Sequence, residues 1–286
     1  MMNKLICKYG ATFMKVGVFA GILSVVCLGN TVKAQGGGDI PDAIVNTPAQ
    51  TAWWQGQYFK ARISKRFFYY HEVHMRRINS LDNRLDFAGR AGQIYNRPGL
   101  TYLVNKNFEV TLGAVTTVRF SPDPSDDNLK RAIPDLRIWH QYLFAQKMGR
   151  FKFLHQFRVE HRWLSGFEKG SETNYTNRWR YKIAMYIPLN KPQMEDKTWY
   201  LYPSNEFFFE SGPKKLSLFE ENRLYVAAGY TYGNWQFFVG WMYTYGPNQQ
   251  EFWEYRTRHI LRTNIALNLD LRKDKKLPSE GILLPY

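Results

Sequence analysis

Cysteine is almost absent from this chain. There are two, Cys7 and Cys27, both in the first tenth of 286 residues. No disulfide framework can therefore hold the remainder together in an oxidising compartment. Helical periodicity is absent as well: none of the patterned segments after residue 52 repeats at 3.6 residues. With 22% charged residues the chain is too polar for a bundle of membrane-crossing helices. No glycine-rich phosphate loop occurs, since the GGG at 36–38 lies in an unpatterned stretch. The string HEVH at 71–74 lacks the i, i+4 spacing of a zinc-protease helix. On a strand, His71 and His74 point to opposite faces and cannot share one ion. No metal and no cofactor is expected.

Aromatic residues and positive charge are plentiful. Phe, Trp and Tyr make up 17% of the chain, and its formal charge is +15. Many aromatics with many charges fit strands that have one apolar and one polar face. The first residues read as an export signal. Lys4, Lys8 and Lys15 precede the apolar run from Val16 to Leu28, and Val32-Lys33-Ala34 closes it. Cleavage is expected after Ala34. The run is short and wrongly flanked for a retained anchor, and Ser24-Val25-Val26 lacks the small-residue pattern of a lipoprotein site at Cys27. Export makes nucleic acid a poor partner and leaves anionic lipid headgroups or small anionic solutes. The expected organisation is a signal peptide (1–34), a flexible lead serving as a first strand or lumen plug (35–52), a barrel (53–272) and a tail (273–286).

Eleven alternating segments follow the lead: 53–64, 66–78, 89–104, 107–120, 134–147, 150–164, 174–188, 198–210, 219–232, 234–245 and 257–272. Most exceed the usual globular strand of about five or six residues and suit a tilted membrane-crossing strand of about 9–11. Tight turns at 64–66, 105–107, 148–150 and 232–234 alternate with longer polar loops at 79–88, 121–133, 165–173, 211–218 and 246–256. Such alternation is the rim pattern of outer-membrane barrels. The connection 189–197 is long where a tight turn is due.

The stretch HQFRVEHRWL (155–164) poses the question of which face is wet. Gln156, Arg158, Glu160 and Arg162 share one side; His155, Phe157, Val159, His161 and Trp163 share the other. Aromatics gather near segment ends, with Trp53, Trp163, Trp179, Trp199, Trp235, Trp241 and Tyr245 forming a candidate girdle. The apolar face is therefore expected to meet lipid and the charged face to line a polar lumen, in a sheet that has to close on itself. A lipocalin-like soluble barrel, apolar inside, needs only about eight strands and leaves too much chain over. The fold expected is all-β, a single transmembrane antiparallel barrel of about 10–12 strands. Because bacterial barrels usually have even counts, twelve strands, or ten, are favoured over eleven.

Alternation assigns Arg62, Arg76, Arg119, Arg158, Glu160, Arg162, Arg178, Arg180, Glu206, Glu221, Arg223 and Arg262 to a lumen charge network, beside Lys60, Glu72, Glu109, Lys182 and Asn264. It reads either as an ion-pair ladder bracing the barrel or as an anion-attracting lumen. A lipid-facing hydrolase would need a serine beside an oriented histidine; His161 and Ser165 lie near one rim, and no nucleophile motif supports them.

The blocks PDLRIWHQYLF (134–144), FLHQFRVEHRWL (153–164), NRWRYKIAMYIPL (177–189), NEFFFE (205–210), FEENRLYVAAGY (219–230) and HILRTNIALNLDLR (259–272) resemble, in order and spacing, the exported family called domain of unknown function 2490. The resemblance implies an outer-membrane barrel of Bacteroidetes type and no particular reaction. Its shared charged and polar positions here include Arg137 and Asn222, whose side of the wall a bulge would decide. The tail KDKKLPSEGILLPY departs from barrels that end on an aromatic residue in the last strand, because Pro278, Gly281 and Pro285 bar a regular strand. The leading expectation is a narrow pore or a structural barrel with a basic lumen. The alternatives are a lipid-acting hydrolase and a binding or assembly component of the envelope.

Overall fold

The computed structural model describes residues 45–213, 215, 217–248 and 254–272. The expected signal peptide, its cleavage point, residues 35–44 of the lead and the tail 273–286 lie outside the described residues. All regular structure among the described residues is strand. In chain order these are β1 (Val45–Asn46), β2 (Gln50–Arg62), β3 (Phe67–Ile78), β4 (Arg90–Asn105), β5 (Phe108–Phe120) and β6 (Ala132–Met148). They continue as β7 (Phe151–Ser165), β8 (Thr173–Pro188), β9 (Trp199–Ser211), β10 (Phe219–Tyr232), β11 (Trp235–Pro247) and β12 (Glu254–Asp270).

Each strand from β2 to β12 pairs with its chain neighbour, and β12 returns to pair with β2, so the sheet closes into a barrel. The even strand count favoured by the sequence is corrected here: eleven long strands form the wall. With an odd number of hairpin-connected strands, the first and last run in the same direction, so the closing pair has to be parallel. It runs from Gln50↔Arg258 to Arg62↔Asp270. The two-residue β1 is no twelfth strand. It pairs Val45↔Glu254 and Asn46↔Tyr255, on the edge of β12 that β2 occupies further along, offset by one residue.

The two rims differ. At one, Gly149 (φ 59°) and Gly233 (φ 57°) make two-residue turns in the left-handed region that glycine enters at no steric cost. At the other rim the connections are long. The loops after β5 and β7 join there through a Leu129↔Glu168 bridge and a Lys130 N–H to Phe167 carbonyl bond of 2.7 Å. The exceptional connection 189–198 packs back over the turn rim: the Thr231 N–H donates to the Thr198 carbonyl and the Lys197 N–H to the Thr231 carbonyl, the Gly233 N–H donates to Asp196, and Met194 rests on the buried core. Strands of 12–17 residues, at ~3.3 Å per residue and a tilt of about 40°, rise roughly 30–43 Å along the axis.

Burial follows the alternation. In β6 every second residue from Ile133 to Ala145 is buried, and the residues between them are mostly exposed. Arg137 falls on the inner face without any bulge, whereas Asn222 faces outward and bonds Asn205. The outer wall shows Leu100, Leu112, Ile138, Phe157, Val226 and Val239 to the surroundings.

Candidate functional site: the barrel interior

At mid-height the interior is crossed by ion pairs. Glu160, fully buried, lies 2.7 Å from Arg180, 3.3 Å from Arg137, 3.5 Å from Arg97 and 3.8 Å from Arg178. Glu72 pairs with Arg97 and, at 2.9 Å, with Arg158, and accepts from the Tyr70 hydroxyl at 2.5 Å. Glu206 takes the second face of Arg180 at 2.8 Å. β3 and β7 are not neighbours in the wall, so the Glu72–Arg158 pair runs through the interior itself. Trp139, level with Glu160 in the wall, packs against this layer, with the guanidiniums of Arg158 and Arg97 4.6 and 5.8 Å from its ring. The cavity left among these groups measures about 40 Å³, room for about three water molecules.

Toward the turn rim the filling becomes aromatic. Tyr186, Tyr200 and Tyr202 are essentially inaccessible, with ring centroids 4.9–5.3 Å apart for the contacts Tyr186 makes to the other two. Leu143, Leu154, Ala184 and Phe238 fill the same half. Lys60 and Glu109, buried near the turn rim, pair at 2.7 Å.

Toward the loop rim the filling thins into a vestibule of about 390 Å³. Eight of its nineteen lining residues are arginines, against two glutamates, Glu220 and Glu221. Arg119 holds Asp135 through two bonds of 2.7 and 3.0 Å and the Ser165 carbonyl at 2.5 Å. Arg162 meets Glu210 at 3.3 Å, while Glu210 also has Lys215 at 3.1 Å. Arg178 pairs with Glu220, and both Arg223 and Arg258 pair with Glu221. Arg76 and Arg223 lie over Trp54, at 3.8 and 5.2 Å from its ring.

The residues assigned to the lumen from sequence all stand on the inner face, but they do not form one network. Arg158, Glu160, Arg180 and Glu206 belong to the central layer; Arg76, Arg119, Arg162, Arg178, Glu221 and Arg223 line the vestibule. Arg223 and Arg76 also border the small central cavity. Arg262 bonds the Tyr58 hydroxyl at 3.0 Å. Arg62 caps the β2–β3 turn through the Lys65 carbonyl at 2.7 Å. The sequence reading missed Arg97, Asp135, Glu210, Glu220, Arg256 and Arg258. Arg97 lies inside the segment read as a strand over 89–104 but was not assigned to a face. Glu220 is the extra residue of a bulge against Phe208 and Phe209, and it points into the vestibule beside Glu221.

On the outer wall, Trp163, Trp199, Trp235 and Tyr245 lie within two residues of strand ends and Trp53 three residues in. Trp241 and Trp179 sit deeper in their strands. Trp241 is nonetheless level with Trp53 across Leu261, and Trp179 is level with Phe209 near the end of β9. Polar groups on this wall bond one another: His71 to Asn96 at 2.5 Å, His155 to Tyr181 at 2.9 Å, and His161 to Asn177 at 2.8 Å. His74 points inward, 3.2 Å from Glu72, so the two histidines of the HEVH string occupy opposite faces. Ser165 bonds Thr173 at 2.7 Å, and His161 is turned to Tyr175 and Asn177. No serine–histidine pair is thereby assembled from His161 and Ser165.

Taken together, these features define a closed eleven-stranded β-barrel with an apolar outer wall and an ion-paired interior. The chain belongs to the family described as protein of unknown function (DUF2490), whose model matches residues 51–256. No curated protein and no solved structure matches it.

Proposed function

We propose that this chain is an outer-membrane β-barrel whose interior is closed to solutes, acting as a structural and ligand-binding barrel rather than as a pore. The observation that carries the reading is the filled interior, where cross-barrel ion pairs and a tyrosine cluster leave about 40 Å³. Eight strands give an interior just filled by side chains, and sixteen or more leave an aqueous channel. Eleven strands carrying arginine and tyrosine inward lie on the filled side of that divide. Insertion in lipid is supported by the continuous apolar wall, far larger than the patches soluble monomers expose. It is also supported by the mutual bonding of the wall's histidines, asparagines and tyrosines, because polar groups in lipid find no water. The export signal read from the sequence agrees with this location.

Two experiments test the proposal. The folded barrel in a planar bilayer is expected to give no discrete conductance steps; regular steps with anion selectivity would replace the closed-barrel reading with a pore. Leu112→Arg, midway along β5 on the outer wall, is expected to cost about 2–4 kcal/mol in folding measured with lipid present. An unchanged stability would mean that this wall faces water.

A further inference from the structure

Among the described residues, the vestibule holds more positive charge than is neutralised. Its eight arginines face Glu220 and Glu221 at the wall and Asp135, Glu160, Glu210 and Glu254 around it. One of these six, Glu160, is shared with Arg97 and Arg180 of the layer below. At least two guanidiniums are therefore uncompensated by the described residues in a partly desolvated space. Such charges are unfavourable unless a counter-charge joins them. The hydrogen-bonding inventory points the same way. The Nε atoms of Arg76, Arg137, Arg162 and Arg178 are buried without a partner among the described residues, and Arg137 and Arg162 are themselves more than nine-tenths buried. These residues line the same 390 Å³ space, which is ample for an oxyanion with part of its hydration.

We infer that the loop-rim vestibule is a binding site for a multivalent oxyanion, a phosphate ester or a polycarboxylate, held by several guanidinium forks. Guanidinium is the group suited to planar, two-point recognition of such oxygens. A monovalent anion neutralises only one of the surplus charges, so the site prefers ligands of charge two or more. Phosphate of this kind reaches the vestibule either as a free solute or as the headgroup of a lipid. Trp54, under Arg76 and Arg223, places an aromatic face at the floor of the site.

The site is independent of the closed-lumen reading: an open pore would conduct and still bind, whereas a closed barrel without the site would neither conduct nor bind. The test uses the full folded chain in detergent, with equilibrium dialysis against radiolabelled inorganic pyrophosphate and, separately, against short-chain phosphatidic acid. Saturable uptake is expected, weakened steeply by salt and competed poorly by acetate. Arg162→Gln is expected to lower affinity about tenfold, the weight of one charge-assisted hydrogen bond. Arg258→Gln, on a side chain about one-third exposed, does the same where the buried variant fails to fold. The turn-rim control Lys106→Gln/Lys147→Gln lowers the total charge equally or more and is expected to leave affinity unchanged. Uptake of pyrophosphate identifies a solute site, and uptake of phosphatidic acid alone identifies a headgroup site. Saturation by neither probe, or uptake that falls as much in the turn-rim control as in the vestibule variants, overturns the proposal.

Discussion

The two halves of this interior are built from the same wall and filled differently. On the turn side, tyrosines and aliphatic residues pack to exclusion around the buried Lys60–Glu109 pair. On the loop side, arginines outnumber carboxylates around an open volume, and several guanidinium nitrogens lack partners. A barrel needing only to be braced would fill its interior throughout, as the turn half does. The contrast teaches that the turn half serves stability and the loop half carries an unmet demand for negative charge.

The largest expected effect tests the central layer that separates the halves. Glu160→Gln leaves Arg137, Arg178, Arg180 and Arg97 with less counter-charge and is expected to cost about 3–5 kcal/mol. Urea unfolding in lipid vesicles reads it, and a cost under about 1 kcal/mol would mean that water penetrates the layer. Next comes Tyr202→Ala in the turn half, where the inaccessible ring packs on Tyr186 at 4.9 Å. A loss of about 3 kcal/mol is expected by the same measurement. By contrast, Arg162→Gln in the loop half is expected to change stability by about 1 kcal/mol or less, because it relieves repulsion with the clustered Arg137 and Arg178 and Glu210 keeps Lys215. A loss as large as that of Glu160→Gln would erase the distinction between the halves. Smallest of all, Lys169→Ala on an exposed loop is expected to stay within about 0.5 kcal/mol.

Much of this architecture was legible because a period-two pattern assigns each side chain to a face. Gln156, Arg158, Glu160 and Arg162 fall inward and Phe157 and Trp163 outward, as read from residues 155–164 alone. All eleven segments appear as strands with shifted ends. What the pattern leaves open is anything set by closure or by local irregularity. Strand parity was misjudged because the direction of the seam between β2 and β12 depends on which ends meet in space, and a habitual even count stood in for it. Glu220 was invisible because a bulge breaks the alternation that assigned the faces. The division of the inner residues into a filled, cross-linked layer and an open vestibule depends on height along the axis and on partners several strands away, such as Arg158 and Glu72. Alternation supplies neither.

The central claim is that the interior is open to ligands from the loop rim and sealed at the turn half. Thiol accessibility tests it most directly, because the chain's own cysteines, Cys7 and Cys27, can be replaced by serine. In that background Arg258→Cys reports the vestibule and Ala184→Cys, 2% exposed, reports the turn half. A charged, membrane-impermeant thiol reagent is added to each face of the reconstituted bilayer in turn. The account predicts labelling of Arg258→Cys from one face only and no labelling of Ala184→Cys from either. Rapid labelling of Ala184→Cys in the folded barrel would contradict it.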